Sequence, residues 1–149
     1  MLIPGKLIFR PMTVKDYEAA CQLWKKSSGI GLRSLDDSKE GIRKFLERNP
    51  NTCFAAENAG ELIGVILCGH DGRRGTIYHL AVEVSNRRKA VGQTLVGLAT
   101  EALRVQNIHK VSLVVFASNK EARTFWTSIG FAFREDLVYF DNVLNMDNH

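Results

Sequence analysis

Cysteine is scarce, and Cys21, Cys53 and Cys68 do not fall at a metal-binding spacing. Their number is odd and each has apolar neighbours, so the reading is buried free thiols in a reducing, cytoplasmic compartment, with no metal. Long apolar runs are missing. The longest, such as 62–68, fall far short of the roughly 20 residues that cross a bilayer. Met1-Leu2-Ile3-Pro4 lacks a basic stretch followed by an apolar segment, so neither a secretory signal nor a membrane partner is expected. Gly-x-Gly-x-x-Gly near the start and alternating βαβ units are absent, which excludes a nicotinamide or flavin Rossmann domain. Basic residues exceed acidic ones only by 20 to 16. With no recognition helix or aromatic-studded basic face beside them, they do not indicate nucleic acid. Repeats, linkers and low-complexity segments are also lacking.

What is present fits one globular domain over 1–149. The chain is 45% hydrophobic and 24% charged, enough to fill a single core. Residues 6–10 read as a first strand closed by Pro11. Thr13 with Asp16 resembles a capping box, and Val14, Tyr17, Cys21 and Trp24 then share one helical face up to residues 27–29. A flexible connector over 29–33 leads to a second helix started by Asp37 or Ser38, with Ile42, Phe45 and Leu46 inward. Residues 52–57 and 62–68 flank Asn58-Ala59-Gly60-Glu61, a hairpin turn. A second turn over 69–75 opens the strand 76–82, giving an antiparallel meander. A helix is expected over 93–106. Residues 111–116 read as a central strand buried on both faces. Ser118 or Asn119 caps a last helix carrying Ala122, Phe125, Trp126 and Ile129 inward and stopped by Gly130. Residues 131–134 and 137–140 read as a closing strand pair, and 141–149 as a tail that frays.

The stretch from Tyr78 to Gly92 stands out. An apolar strand gives way to Arg87-Arg88-Lys89, then to Ala90-Val91-Gly92 at a helix start. Free backbone N–H groups, the positive end of the helix dipole and three cations together suit a diphosphate.

Leu80-Ala81-Val82 followed by Arg87-Arg88-Lys89-Ala90-Val91-Gly92 resembles the acyl-CoA signature of the GNAT N-acyltransferase superfamily. Asn119, Ala122, Phe125-Trp126 and Gly130-Phe131 resemble its second signature. The turn over 69–75 looks like that of small bacterial single-domain members. The resemblance implies an α+β fold, a mixed and mostly antiparallel sheet flanked by helices in the order β-α-α-β-β-β-α-β-α-β-β. It further implies acetyl-CoA as co-substrate and acetyl transfer to a primary amine, small or peptide, by direct attack in a ternary complex. A catalytically silent acyl-CoA-binding module is the alternative. On this resemblance, the backbone of Leu80, Ala81 and Val82 holds the pantetheine arm, which lies where the strands carrying Val82 and Val115 splay apart. The backbone from Arg87 through Arg88, Lys89, Ala90, Val91, Gly92 and Gln93 cradles the pyrophosphate, and Asn119 bonds the arm from the far side. Trp126 occupies a cofactor-side position where many relatives place an acidic Tyr. Val114 stands where some carry a Glu. Ala90 replaces a signature Gly, so a right-handed conformation is expected there.

An alkylammonium with a pKa near about 10.4 must lose a proton before it can attack a thioester. A backbone N–H on the strand 80–82 would meet the oxyanion. His79 and Tyr78 lie on the strand that reaches the thioester and are the candidate proton carriers. They point to opposite faces unless a bulge intervenes. Either can instead be a packing residue. Tyr139 could supply a proton from the other side. Gly29, Ile30, Gly31 and Leu32 in the connector are candidate acceptor contacts, and Asp71 either orients the amine or makes its turn. Exposed sheet edges and the C-terminal strands make a homodimer reasonable.

Overall fold

A computed structural model describes residues 5–27, 29–84 and 88–149, with only the backbone of Arg88 and Lys89. Strand β1 (Leu7–Pro11) forms the sheet edge, where Pro11 removes no needed ladder bond. The chain then turns through a 3-10 segment, Val14–Asp16, into helix α1 (Tyr17–Lys26). Here Asp16 reaches back to accept the Thr13 N–H at 2.9 Å. Its two oxygens also accept from the Arg10 guanidinium at 2.8 and 2.9 Å, while Arg10 Nε donates to Glu57 at 2.9 Å. That ion-paired cluster ties the first strand to the first helix. Helix α2 (Lys39–Arg48) is capped by Ser38, whose hydroxyl accepts the Gly41 N–H at 3.0 Å. Of the two candidates, Ser38 is therefore the cap.

Strands β2 (Phe54–Asn58), β3 (Glu61–His70) and β4 (Gly75–Val82) complete the antiparallel meander. Asn58 pairs with Glu61 across Ala59-Gly60, both at positive φ (52° and 86°), as a tight two-residue hairpin demands. Helix α3 (Arg88–Val105) crosses over to β5 (Val111–Ser112), which lies parallel to β4, and α4 (Lys120–Ser128) follows. Because side chains alternate along the strands, each face of the sheet has its own core. Ala55, Val65, Leu67 and Ala81 pack with Trp24, Leu23, Ile42 and Leu46 of α1 and α2. Ala56, Ile66, Cys68 and Ile77 pack with Val91, Leu95, Ala99 and Leu103 of α3 and with Trp126 of α4.

Four expectations need correction. Helix α3 starts at Arg88, five residues before 93, because Arg88-Lys89-Ala90 are themselves good helix formers. Residues 111–116 form a strand only over Val111–Ser112 and are covered on one face, with Val114 67% exposed. Strand composition is present there, but no neighbour pairs beyond Ser112. The closing pair over 131–134 and 137–140 is likewise not strand among the described residues. That run leaves Phe133, Leu137, Val138, Tyr139 and Phe140 exposed, and Arg134 is spent on a local ion pair with Asp136. Lastly, the end of the tail is hydrogen-bonded to the loop before α2. Ser34 N–H donates to the backbone oxygen of His149 at 2.8 Å, and Leu35 and Asp36 N–H donate to Asn148 Oδ1 at 3.0 and 3.1 Å.

Candidate active site

Strand β4 is irregular where chemistry was expected. Its register with β3 pairs Leu67 with His79 but Cys68 with Ile77, so Tyr78 faces no opposite residue. This is a β-bulge, and it turns two consecutive side chains to one face. The Tyr78 ring meets Phe45 of α2 edge-on at 5.4 Å, and the His79 ring meets Trp24 of α1 at 5.1 Å. Both candidates therefore face α1 and α2, while Ile77 before them and Leu80 after them belong to the opposite core.

His79 has a partner that sequence reasoning named only as a possible helix cap. Its Nε2 lies 2.7 Å from Asp37 Oδ1, and both side chains are nearly buried. Asp37 Oδ2 accepts the Arg33 N–H at 2.7 Å, and its backbone oxygen accepts the Tyr17 hydroxyl at 2.7 Å. Burial first, and then neighbouring Cys21 and Asp37, push the Tyr17 phenol up to about 12, so it stays a donor. An ionised carboxylate only accepts, so opposite one a neutral imidazole carries its hydrogen on Nε2 and its lone pair on Nδ1. His79 also packs on the ring of Trp24, whose indole N–H is buried with no hydrogen-bond partner among the described residues. Burying polar groups in an apolar core costs stability unless they are hydrogen-bonded, and such clusters concentrate at functional sites.

The other edge of β4 is open. Pairing with β5 covers only Gly75↔Val111 and Thr76↔Ser112, so from Ile77 to Val82 no strand flanks that edge among the described residues. At its end stands the start of α3. A Cβ on Gly92 would lie 3.3 Å from the Phe125 ring and 3.7 Å from Val82, so this glycine lets α3, α4 and β4 converge. Ala90 is exposed and lies in the first turns of α3, in the right-handed conformation expected of it. Val91 is buried and Gln93 exposed. Arg87 lies outside the described residues, and of Arg88 and Lys89 only the backbone is placed. Asn119 caps α4 by accepting the Ala122 N–H at 3.1 Å. Its amide nitrogen abuts the connector, and a Cβ on Gly29 would fall 2.2 Å from it. Gly31 likewise lies against Phe116, at 3.2 Å on the same measure. Ile30 and Leu32 are half-buried and pack on the α1–α2 core. The connector thus bridges the α1–α2 core and the start of α4.

Three candidates are placed elsewhere. Trp126 is buried between Phe125 and Phe131, at ring separations of 5.2 and 4.9 Å, as a core side chain. Asp71 makes its turn, accepting the Arg73 and Arg74 N–H groups at 2.8 Å, and those two hold its carboxyl below the ordinary range. Tyr139 stands 69% exposed without a hydrogen bond or ring contact to the described residues. Among the described residues no cluster of His, Cys, Asp or Glu could hold a metal, and no helix is long and apolar enough to cross a membrane.

The family model described as Acetyltransferase (GNAT) family matches residues 15–131. Acetyltransferase SG1711 of Sodalis glossinidius is 26% identical over 123 residues, 83% of this chain and 85% of that one. Two crystal structures share the fold. Ard1 from Thermoplasma volcanium has a TM-score of 0.75 at 24% identity, covering 87% of this chain and 84% of its own. The NatC complex bound to Gag peptide and CoA has a TM-score of 0.69 at 20% identity, covering 85% of each.

Proposed function

Because this chain belongs to the Acetyltransferase (GNAT) family, we propose that it moves the acetyl group of acetyl-CoA to a primary amine by direct attack, with His79 and Asp37 handling the amine proton. The observation that carries this reading is the 2.7 Å contact between His79 Nε2 and Asp37 on a bulged strand whose other edge is open. Asp37 fixes the ring and its tautomer and stabilises the imidazolium that forms when Nδ1 takes the proton. Neutral imidazole is the base suited to neutral pH. Acetyl-CoA supplies a thioester carbonyl and a thiolate that leaves as the new C–N bond forms.

Support for the cofactor side is the open β4 edge over Leu80, Ala81 and Val82. An extended amide arm would complete it much as an added strand would. The N-terminus of α3, from Arg88 to Gln93, offers backbone donors to the pyrophosphate. Tyr78, on the same face as His79, would border the acceptor together with the 29–32 connector. The amine itself is a small molecule or a peptide N-terminus; the NatC structure carries a peptide beside CoA. We infer a cytoplasmic site of action from the free cysteines. The exposed apolar row from Phe133 to Phe140 is the surface a homodimer would use.

The test is a turnover screen with acetyl-CoA over peptide and small-amine panels, read by released thiol. Burial pushes the Cys53 and Cys68 thiols up to about 12, so they stay silent in that readout. Transfer to one amine class that obeys ternary-complex kinetics is expected. Tight CoA binding without transfer to any amine would overturn the reading.

A further inference from the structure

We propose that the segment Asp147-Asn148-His149 is a strap that positions the His79–Asp37 pair, acting through the loop 33–37. The segment is extensively bonded for an exposed stretch. Asn148 Oδ1 accepts both the Leu35 and Asp36 N–H groups, and its Nδ2 donates to Asp36 Oδ2 at 2.9 Å. Ser34 is held from both sides. Its hydroxyl donates to the Asp147 carbonyl at 2.5 Å and accepts the His149 N–H at 2.9 Å, while its own N–H donates to the backbone oxygen of His149. One asparagine therefore serves two consecutive N–H groups that precede α2, as a cap supplied from about 110 residues away along the chain.

What these bonds fix is the residue next in line. Asp37 follows Asp36 directly, and its carboxylate grips His79 with one oxygen and the Arg33 N–H with the other. The rest of the loop's hold is local apart from one bond: the Asp37 N–H donates to the Arg33 carbonyl at 3.0 Å, the Ser38 hydroxyl to the Leu35 carbonyl at 2.7 Å, and the Tyr17 hydroxyl to the Asp37 carbonyl at 2.7 Å. Leu35 and Asp36 are exposed, and Leu35 is 41% accessible, so no apolar packing locks this turn. Gly41 requires close approach of the loop as well. A Cβ there would lie 2.4 Å from the Leu35 and Asp36 carbonyl oxygens, so only a glycine lets the loop pass this close to α2. Tail, loop, Asp37 and His79 form one continuous hydrogen-bonded path. Positioning to within fractions of an ångström decides catalytic rates.

The inference rests on the proposed role of His79 only for its kinetic consequence; the structural consequence stands by itself. Asn148→Ala in the full chain removes all three Asn148 side-chain bonds without touching the core. Met146→Ala, at a neighbouring exposed side chain, serves as the control. Nitrogen-15 NMR of the imidazole reports the tautomer and hydrogen bonding of His79 directly. Asn148→Ala should shift the His79 ring resonances toward those of a free imidazole and lower kcat/KM for the amine about tenfold, leaving the dissociation constant for acetyl-CoA unchanged. Met146→Ala should change none of these. Shifted resonances with unchanged kcat/KM would uphold the strap and count against His79 as base. Unshifted resonances in Asn148→Ala would overturn the strap, whatever the kinetics show.

Discussion

The two faces of the sheet are built from the same strands yet hold different kinds of core. Toward α3 and α4 the core is built from apolar side chains, among them Ile66, Ile77, Val91, Leu95, Leu103 and Trp126. Toward α1 and α2 the core gives way to His79, Asp37, the Tyr17 hydroxyl and an indole N–H that has no hydrogen-bond partner among the described residues. A single bulge at Tyr78 produces the difference, because it sends two adjacent β4 side chains to the same face. On the proposed reading, one face supplies stability and one wall of the acetyl-CoA site, and the other accepts polar groups in its core for the chemistry.

Perturbing the apolar face should therefore cost stability while leaving the proton chemistry intact. The largest effect is expected from Leu95→Ala, a fully buried side chain on α3. Denaturant titration should show a loss of about 2–5 kcal/mol, with an unchanged pH profile of turnover in the folded enzyme.

Asp16→Asn tests the ion-paired junction of β1 and α1, and about 1–3 kcal/mol should be lost at neutral pH. Burial alone would raise the Asp16 carboxyl, but Arg10 and the Thr13 N–H outweigh it and hold it below its ordinary value. A depressed folded value means that this stability is fully present above the unfolded carboxylate range. It is lost as pH falls through the folded value. The difference in stability between the native chain and the Asp16→Asn variant should then shrink in acid, measured by thermal melts at stepped pH.

Gly92→Ala has a smaller expected effect, about 1 kcal/mol, since overpacking against Phe125 can be relieved by a slight shift of the ring. Because Gly92 lies where α3 meets β4, a calorimetric titration should show weaker acetyl-CoA binding, with kcat for bound substrate little changed.

Local signals in the sequence proved readable wherever the partner is close along the chain. Thr13 with Asp16 spans three residues and is evident from residue type, while Ser38 with Gly41 and Asn119 with Ala122, of the same span, are each one of two adjacent cap candidates in the sequence. The Ala59-Gly60 turn was legible too. The bulge was not, because a bulge is a property of a pair of strands, and only the register with β3 reveals the extra residue. Asp37 was legible as a helix cap but not as the partner of His79, from which it is separated by 42 residues. The ambiguity between Asp37 and Ser38 was the available signal: one caps, which leaves the other free for the site. Residues 131–140 show the reverse failure. They have the composition of strands, but pairing needs a neighbour, and none flanks them among the described residues. Trp126 stands in a signature that assigns it to the cofactor side, and its size and apolarity bury it between Phe125 and Phe131.

The central claim is that His79 and Asp37 act as one unit. A double-mutant cycle with His79→Gln and Asp37→Asn measures that most directly, using kcat/KM for the best amine across pH. His79→Gln should lower kcat/KM by about 10²–10⁴ and remove the acidic limb of the profile. Asp37→Asn should also cost rate, but adding it to His79→Gln should cost almost nothing further. Additive losses, or a pH profile unchanged by His79→Gln, would contradict the account.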